Sequence, residues 1–178
     1  IPAVISAAVA PQKVLIVNTN GGGHANIGFW LAKTLAAQGH SVTLNTIGSK
    51  DDKKMQKPPF TYFNELTSAG VQTVWADPGE LATKAAGAQF DVVVDNNGKD
   101  LDSVGPVAAF AKQCGAKQFL FVSSAGMYKP TPTPPHLEGD AVKESAGHAQ
   151  VEAKLATMPF SFASFRPQYF TGYGNNKD

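Results

Sequence analysis

Residues 13–28, KVLIVNTNGGGHANIG, decide the fold of this chain. Residues 14–17 are an unbroken apolar run, which is typical of a strand buried on both faces of a parallel sheet. Gly21, Gly22 and Gly23 follow the run and permit a tight turn in which backbone N–H groups approach a ligand closely. A strand, a glycine loop and a helix in this order open a doubly wound sheet, and the helix N-terminus is a ready anion site.

The glycine pattern departs from the dinucleotide-binding fingerprint. GxGxxG does not occur, and the nearest spacing is Gly22-x-x-Ala25-x-x-Gly28. The loop therefore admits two interpretations. Either Gly21, Gly22, Gly23 and Gly28 form a phosphate site for NAD(P), or the loop only packs a helix onto a strand.

Strand and helix patterns alternate along the rest of the chain. They predict a Rossmann-like α/β domain over residues 13–178, with a doubly wound parallel sheet in the order 3-2-1-4-5-6 and a loose tail at residues 1–12. Further strands are predicted at 41–47, 71–75, 91–95, 117–123 and 160–166, and helices at 27–38, 63–69, 81–86, 101–114 and 141–155. The first helix is predicted to face the sheet with Ile27, Leu31, Thr34 and Leu35, and the fourth with Val104, Val107, Ala108 and Ala111.

Composition sets limits on function. The chain has 178 residues, of which 43% are hydrophobic and 16% charged, enough for the core of one globular domain or most of a larger one. The formal net charge of +1 creates no global basic field, so any contact with RNA must be local. Cys114 is the sole cysteine, which excludes an internal disulfide and a multi-cysteine zinc site. No segment is predicted to cross a membrane.

The region after the second strand is basic. An acidic residue that holds the adenine ribose usually stands near the end of this strand, but here the residues are Asn45 and Thr46. The densest group of lysines in the chain follows, at Lys50, Lys53, Lys54 and Lys57. These lysines belong either to a solvated loop or to a contact with a 2′-phosphate or an RNA backbone.

Polar residues follow several predicted strands and should meet at one edge of the sheet, where ligands of such folds bind. His24 and His148 are candidate proton-transfer groups, since histidine titrates near neutrality. Asp95 either binds a divalent ion or caps the turn after the fourth strand. The remaining polar residues at this edge are Asn18, Asn20, Asn96, Asn97, Lys99, Ser123, Ser124, Tyr128, Arg166 and Gln168.

Two segments resemble the extended short-chain dehydrogenase/reductase superfamily, VSSAGMY at residues 122–128 and FRPQYFTGYG at residues 165–174. The catalytic signature of that superfamily is Tyr-x-x-x-Lys on the helix after the serine. With Glu152 setting the register, Glu144 stands where the tyrosine belongs and His148 where the lysine belongs. We therefore expect ordinary dehydrogenase activity to be absent, because the proton donor and its lysine are missing.

A narrower resemblance covers almost the whole chain after the tail. The segments that carry it are VLIVNTNGGGHANIGF, KPPF, FDVVVDNNGKDLD, KQFLFVSSAGMYK, PPHLEGDAVK, AGH and SFRPQYFTGYGNNKD. They resemble the chloroplast stem-loop-binding proteins of plants and algae, atypical members of the superfamily. Members of that family are longer, which implies that a substrate-side C-terminal portion is missing from this chain.

The resemblance implies a protein of the chloroplast stroma that binds stem-loop mRNA and rRNA and associates with the chloroplast ribosome. It also implies homo-oligomers, or hetero-oligomers with a related protein, and a magnesium-assisted endoribonuclease activity in some members. The resemblance does not identify the nuclease residues, but the strand-end edge offers Asp95 to bind Mg²⁺ and His24 and His148 to carry protons. The alternatives are a dinucleotide-binding, reductase-like protein without ordinary dehydrogenase activity and a ribosome-associated factor without chemistry.

Overall fold

The computed structural model describes residues 10–21 and 23–169. The strands are β1 Lys13–Asn18, β2 Ser41–Thr46, β3 Gln72–Trp75, β4 Val92–Asn96, β5 Gln118–Val122 and β6 Ser161–Phe165. The helices are α1 His24–Ala37, α2 Phe63–Ser68, α3 Leu81–Lys84, α4 Leu101–Gln113 and α5 Gly147–Leu155. All strand pairs are parallel and the order is β3-β2-β1-β4-β5-β6, so the predicted doubly wound fold is confirmed.

Alternate residues of β1 contribute to the cores on the two faces of the sheet. Val14 and Ile16 pack in the core that contains α1 and α2, whereas Leu15 and Val17 pack in the core that contains α3, α4 and α5. All four side chains are buried. Because neither face of β1 meets solvent, its apolar run is unbroken.

The start and the inner face of α1 differ from the prediction. The helix begins at His24, three residues before Ile27, and Thr34 is exposed. Its buried residues are Ala25, Asn26, Gly28, Phe29 and Ala32, while Ile27, Leu31 and Leu35 are half-buried. The prediction followed the large apolar residues, but the helix approaches the sheet through small residues around Phe29, since small side chains permit closer packing.

The helix predicted at 141–155 is shorter in the structure. Residues 141–143 pair with the segment after β5, where Tyr128 and Val142 form an antiparallel bridge, and residues 144–146 form a turn before Gly147. Lys129 N donates to Ala141 O at 2.8 Å and Lys143 N donates to Met127 O at 2.8 Å. These bonds compete with a helical start. By contrast, the inner face predicted for α4 is confirmed, since Val104, Val107, Ala108 and Ala111 are buried.

The strand register aligns three polar positions at the carboxyl edge. Asn18, the last residue of β1, lies beside Thr46 of β2 and Asn96 of β4. All three are buried. The edge predicted to carry the site is therefore built from polar residues in one row.

Three predicted features fall wholly or partly on residues that the structure does not describe. Residues 1–9 of the predicted tail, Gly22 of the glycine loop and residues 170–178 of the Arg-Pro segment lie outside the described residues. Within residues 10–21 and 23–169, none of the helices combines the length and apolarity that crossing a bilayer requires.

Candidate functional site at the strand ends

A pocket of about 320 Å³ opens at the carboxyl edge of the sheet. It brings together residues that are far apart in the chain, including both candidate proton-transfer groups, His24 and His148. The lining residues are His24, Asn96, Asn97, Gly98, Lys99, Val122, Ser123, Ser124, His148, Pro167 and Gln168. Asp95 and Arg166 do not line this pocket.

Buried amides hold the N-terminus of α1 against the strand ends. Asn96 Nδ2 donates to Asn18 Oδ1 at 2.7 Å and to His24 O at 2.9 Å. Asn18 Nδ2 donates to Ala25 O at 3.1 Å. A Cβ added at Gly28 would lie 2.3 Å from Asn18 Oδ1, so the close packing of α1 requires glycine there. The network fixes the backbone position of His24 at the pocket.

Asp95 lies beneath the pocket and is fully buried. Its Oδ1 accepts hydrogen bonds from Asn97 N and Gly98 N, both at 2.8 Å. Its Oδ2 is buried and has no hydrogen-bond partner among the described residues. Burial raises the pKa of Asp95 to about 6, although the two N–H groups oppose this shift. The carboxyl group thus caps the turn that carries Lys99, which is the second of the two predicted roles.

The surroundings of Asp95 do not fit a magnesium ion. Mg²⁺ keeps several waters and needs open octahedral positions. Asp95 instead is enclosed by protein, and its Oδ1 already receives two backbone N–H groups. In the part of the chain that the structure describes, no three His, Cys, Asp or Glu side chains are grouped so as to hold a metal. Proton transfer at this pocket would therefore depend on protein side chains and not on a magnesium ion bound to Asp95.

His148 lies in the first turn of α5 and its ring stacks on Phe121, with the centroids 5.9 Å apart. Burial lowers the pKa of His148; Lys99 adds to the shift, and Glu152 and Asp100 oppose it. The imidazole is therefore neutral at pH 7 and can accept a proton. Glu144, the other residue at the dehydrogenase signature, is exposed and precedes α5.

Arg166 belongs to a neighbouring cleft of about 1040 Å³. Its Nε and Nη2 donate to the two carboxylate oxygens of Glu152 at 3.1 and 2.5 Å, and its Nη1 donates to Tyr128 Oη at 2.6 Å. Burial acts to raise the pKa of Glu152, but hydrogen bonds from Arg166, Ser123 and Ser164 and the charge of Arg166 together lower it. The sequence alone does not reveal this pair, since nothing in the pattern around a glutamate on a helix and an arginine after a strand indicates that the two side chains meet.

The N-terminus of α1 follows the glycine loop and lies beside the pocket through His24. Gly23 precedes α1, and no side chain caps the helix N-terminus. A Cβ at Gly21 would meet only Thr19 Oγ1, at 3.9 Å, so the backbone there is approachable. These features fit the diphosphate of a dinucleotide. Gly28 is different, because the Asn18 side chain fills the space beside it.

The four predicted RNA-binding lysines are exposed on the loop after β2. Lys53 and Lys54 lie in a short 3₁₀-helix that Asp52 caps through a bond from Lys54 N at 2.9 Å. Lys54 Nζ donates to Asn20 Oδ1 at 3.2 Å. We call residues 48–57 the lysine-rich loop; this contact joins it to the glycine loop.

Comparison with known proteins identifies a curated relative, the chloroplast stem-loop binding protein of 41 kDa b of Arabidopsis thaliana. The two proteins are 30% identical over 176 residues, which cover 96% of this chain and 45% of the relative. The resemblance drawn from the sequence motifs is confirmed. The relative is described as chloroplastic, which supports the predicted chloroplast location. The chain spans less than half of the length of that relative. No family model matches the chain.

Solved structures similar to this chain include two that were determined with NAD bound. UDP-glucose 4-epimerase from Stenotrophomonas maltophila with bound NAD superimposes with a TM-score of 0.63 at 20% identity, over 87% of this chain and 52% of that one. The Bordetella bronchiseptica enzyme WbmG in complex with NAD has a TM-score of 0.58 at 21% identity, over 88% and 53% of the two chains. At this level of identity the likeness establishes the fold alone.

Proposed function

This chain is a relative of the chloroplast stem-loop-binding proteins, and on that premise we propose that it is a chloroplast RNA-binding protein with a dehydrogenase-like scaffold. Its ligands are stem-loop mRNA and rRNA, and its partners are the chloroplast ribosome and further copies of itself or of a related protein. The observation that carries RNA binding is the lysine-rich loop, with four exposed lysines. None of these lysines forms an ion pair within the described residues.

RNA binding through this loop is local and electrostatic. The whole chain has a net charge of only +1, so the attraction must come from the density of lysines between residues 50 and 57. Each lysine that contacts a phosphate releases counterions and adds about 0.7–0.9 to the slope of log K against log salt concentration. Four such contacts would contribute a slope of about 3.

The test is a salt series of RNA-binding measurements by fluorescence anisotropy with a labelled stem-loop. Alanine at Lys50, Lys53, Lys54 and Lys57 should weaken binding and flatten the salt slope. A control variant with alanine at Lys84, Lys112, Lys129 and Lys154 removes the same charge from other elements and should leave the slope near that of the wild type. An unchanged slope in the first variant would place the RNA site elsewhere.

A second activity, RNA cleavage, is favoured by the meeting of His24, His148 and Lys99 in one pocket. We assign His148 as the base that removes the 2′-hydroxyl proton, because its lowered pKa keeps it neutral at pH 7. The 2′-oxygen attacks phosphorus to form a 2′,3′-cyclic phosphate, and the 5′-oxygen leaves with a proton from His24. Lys99 stabilises the charge on the phosphorane.

Single-turnover cleavage of a stem-loop, with and without magnesium, tests this assignment. His148→Ala and His24→Ala should each lower the cleavage rate by about 10²-fold or more while leaving RNA affinity unchanged. Asp95→Asn should lower the rate less, since it acts by holding the turn that carries Lys99. His136→Gln, which changes a histidine in the neighbouring cleft, is the control. Wild-type rates in both histidine variants would exclude this pocket as the nuclease centre.

Dinucleotide binding is a further candidate, supported by the absence of a side-chain cap at Gly23 before α1 and by the approachable backbone at Gly21. Backbone N–H groups near Gly21 and Gly23 would hold the diphosphate. A bound nicotinamide supplies hydride transfer, but this chain has Glu144 and His148 where the proton relay stands in active reductases. Calorimetry with NAD and NADP should therefore detect weak binding without turnover of ordinary carbonyl substrates. Submicromolar NAD affinity or robust NAD(P)H oxidation would contradict it.

A further inference from the structure

The turn between β4 and α4, residues 97–100, packs directly against the first residue of α5. A Cβ added at Gly147 would lie 2.4 Å from Lys99 O and 3.2 Å from Asp100 Cβ. A side chain at position 147 would therefore push the turn and α5 apart. Glycine at this position brings Asp100 close to the start of α5, where His148 is the next residue.

Hydrogen bonds from Ser103 hold the carboxylate of Asp100 at this contact. Asp100 Oδ1 accepts from Ser103 N at 3.0 Å and from Ser103 Oγ at 2.6 Å. These bonds lower the pKa of Asp100, and the charges of Lys99 and His148 add to the effect. Asp100 is therefore ionised at neutral pH, and it places a fixed negative charge between the N-terminus of α4 and that of α5.

Charged and titratable groups act on the imidazole of His148 from several elements. Glu152, on α5 itself, and Asp100, on the turn, both favour the protonated imidazole, whereas Lys99 on the same turn opposes it. His24 lines the same pocket from α1. The two carboxylates thus lie on different elements, and either could compensate a positive charge on His148.

The two carboxylates differ in what else they neutralise. Glu152 accepts hydrogen bonds from Arg166 Nε at 3.1 Å and Nη2 at 2.5 Å, so the guanidinium already compensates its charge. The partner of Asp100 is the neutral Ser103, and Asp100 forms no ion pair within residues 10–21 and 23–169. The charge of Asp100 therefore remains available to His148.

We propose that Asp100 is a positioning residue for the base of the cleavage reaction: it is held by Ser103 against Gly147, and it stabilises the imidazolium that forms when His148 takes the 2′-hydroxyl proton. The proton moves from the 2′-oxygen to the imidazole, and Asp100 stays ionised throughout. This role rests on the RNA cleavage proposed above. The electrostatic effect of Asp100 on His148 in the free protein does not depend on RNA.

The first experiment is an NMR titration of the purified protein without RNA. The signal of His148 among the four histidines is identified with His148→Ala. In Asp100→Asn the amide can still cap α4 but the charge is lost, so the titration midpoint of His148 should move to lower pH. Asp102→Asn removes an exposed carboxylate from the first turn of α4 and should leave the midpoint unchanged. An unchanged midpoint in Asp100→Asn would overturn the proposal.

A second set of variants tests the contact at Gly147. Gly147→Ala should separate the turn from α5, so Asp100→Asn should shift the His148 midpoint less in this background than in the wild type. Gly105→Ala is the control background, because a Cβ there meets no atom within 4 Å. Both backgrounds are measured on the folded protein, so a change in stability does not affect the comparison. Equal shifts in the two backgrounds would show that the Gly147 contact does not position Asp100.

The third experiment is single-turnover cleavage of a labelled stem-loop as a function of pH. Asp100→Asn should lower the rate by up to about 5-fold, the scale of a partly exposed charge pair, and should move the acidic limb of the pH profile to lower pH. A purely structural role would lower the rate without moving that limb, and such a result would overturn the proposal. Absence of cleavage by the wild type would instead contradict the proposed RNA cleavage, while the NMR titration would still test the effect of Asp100 on His148.

Discussion

The pocket and the lysine-rich loop lie along the same edge of the sheet but are built in different ways. Beneath and beside the pocket, polar groups are bonded to each other and are buried, as in the Asn18–Asn96 contact, or half-buried, as in the Glu152–Arg166 pair. On the lysine-rich loop the charged groups are exposed, and Lys54 has one bond to its neighbour. Substitutions near the pocket should therefore change stability, whereas those on the loop should change binding alone.

The largest effect is expected at Asp95. Its pKa is about 6 in the folded protein, whereas its ordinary value is 3.8. Between pH 3.8 and pH 6 the folded state therefore binds a proton that the unfolded state does not. The stabilisation from Asp95 is complete below pH 3.8 and is lost as pH rises through 6. The shift corresponds to about 3 kcal/mol. Asp95→Asn should therefore become more stable relative to the wild type by that amount between pH 4 and pH 7.

Urea unfolding at several pH values measures this difference, and the other titrating groups cancel in the comparison. A stability difference between Asp95→Asn and the wild type that does not vary with pH would show that the carboxylate is solvated. The pocket would then have no buried floor, and the contrast with the lysine-rich loop would weaken.

Removal of the Glu152 charge should have the next largest effect. The side chains of Glu152 and Arg166 are 11% and 24% exposed, so Glu152→Gln leaves a partly buried guanidinium without its counterion. We expect the free energy of unfolding to fall by about 2 kcal/mol. Glu65→Gln is the control, because the Lys33–Glu65 pair is 37% and 45% exposed and should contribute less than about 1 kcal/mol. Equal losses in urea unfolding would contradict the prediction.

Gly28→Ala tests the packing of α1 on the buried amides. The added Cβ would lie 2.3 Å from Asn18 Oδ1, so the Asn18–Asn96 network must shift. We expect a loss of about 1 kcal/mol or more in the free energy of unfolding. Gly105→Ala in α4 meets no atom within 4 Å and should gain up to about 1 kcal/mol from helix propensity. The same sign for both variants in thermal or urea unfolding would argue against a tight contact at Gly28.

The smallest effect is expected for the variant with alanine at all four lysines of the lysine-rich loop. All four lysine side chains are exposed. Lys54 Nζ donates a hydrogen bond to Asn20 Oδ1. The free energy of unfolding should change by less than about 0.5 kcal/mol. A loss of RNA affinity in this variant would then come from lost contacts with RNA and not from unfolding of the protein. A loss of several kcal/mol would mean that the loop supports the fold.

Much of the fold could be predicted from local patterns, and the exceptions have physical causes. The inner face of α4 followed from its apolar spacing, whereas that of α1 did not, because α1 packs through small residues. The late start of α5 depends on hydrogen bonds to the segment after β5, which no local pattern reveals. At the site, the sequence predicted that His24 and His148 lie at the carboxyl edge of the sheet, as they do in the structure. It did not show that the protein buries the side chain of Asp95.

The sequence by itself determined the strand order and the polar character of the strand ends. Apolar runs and strand–helix alternation are local, and right-handed crossovers leave few topologies that satisfy them. Only the tertiary structure decided that Asp95 lies beneath the pocket, that Arg166 pairs with Glu152, and that Lys54 reaches Asn20. These contacts join residues far apart in the chain, and burial depends on what the other elements place above each side chain.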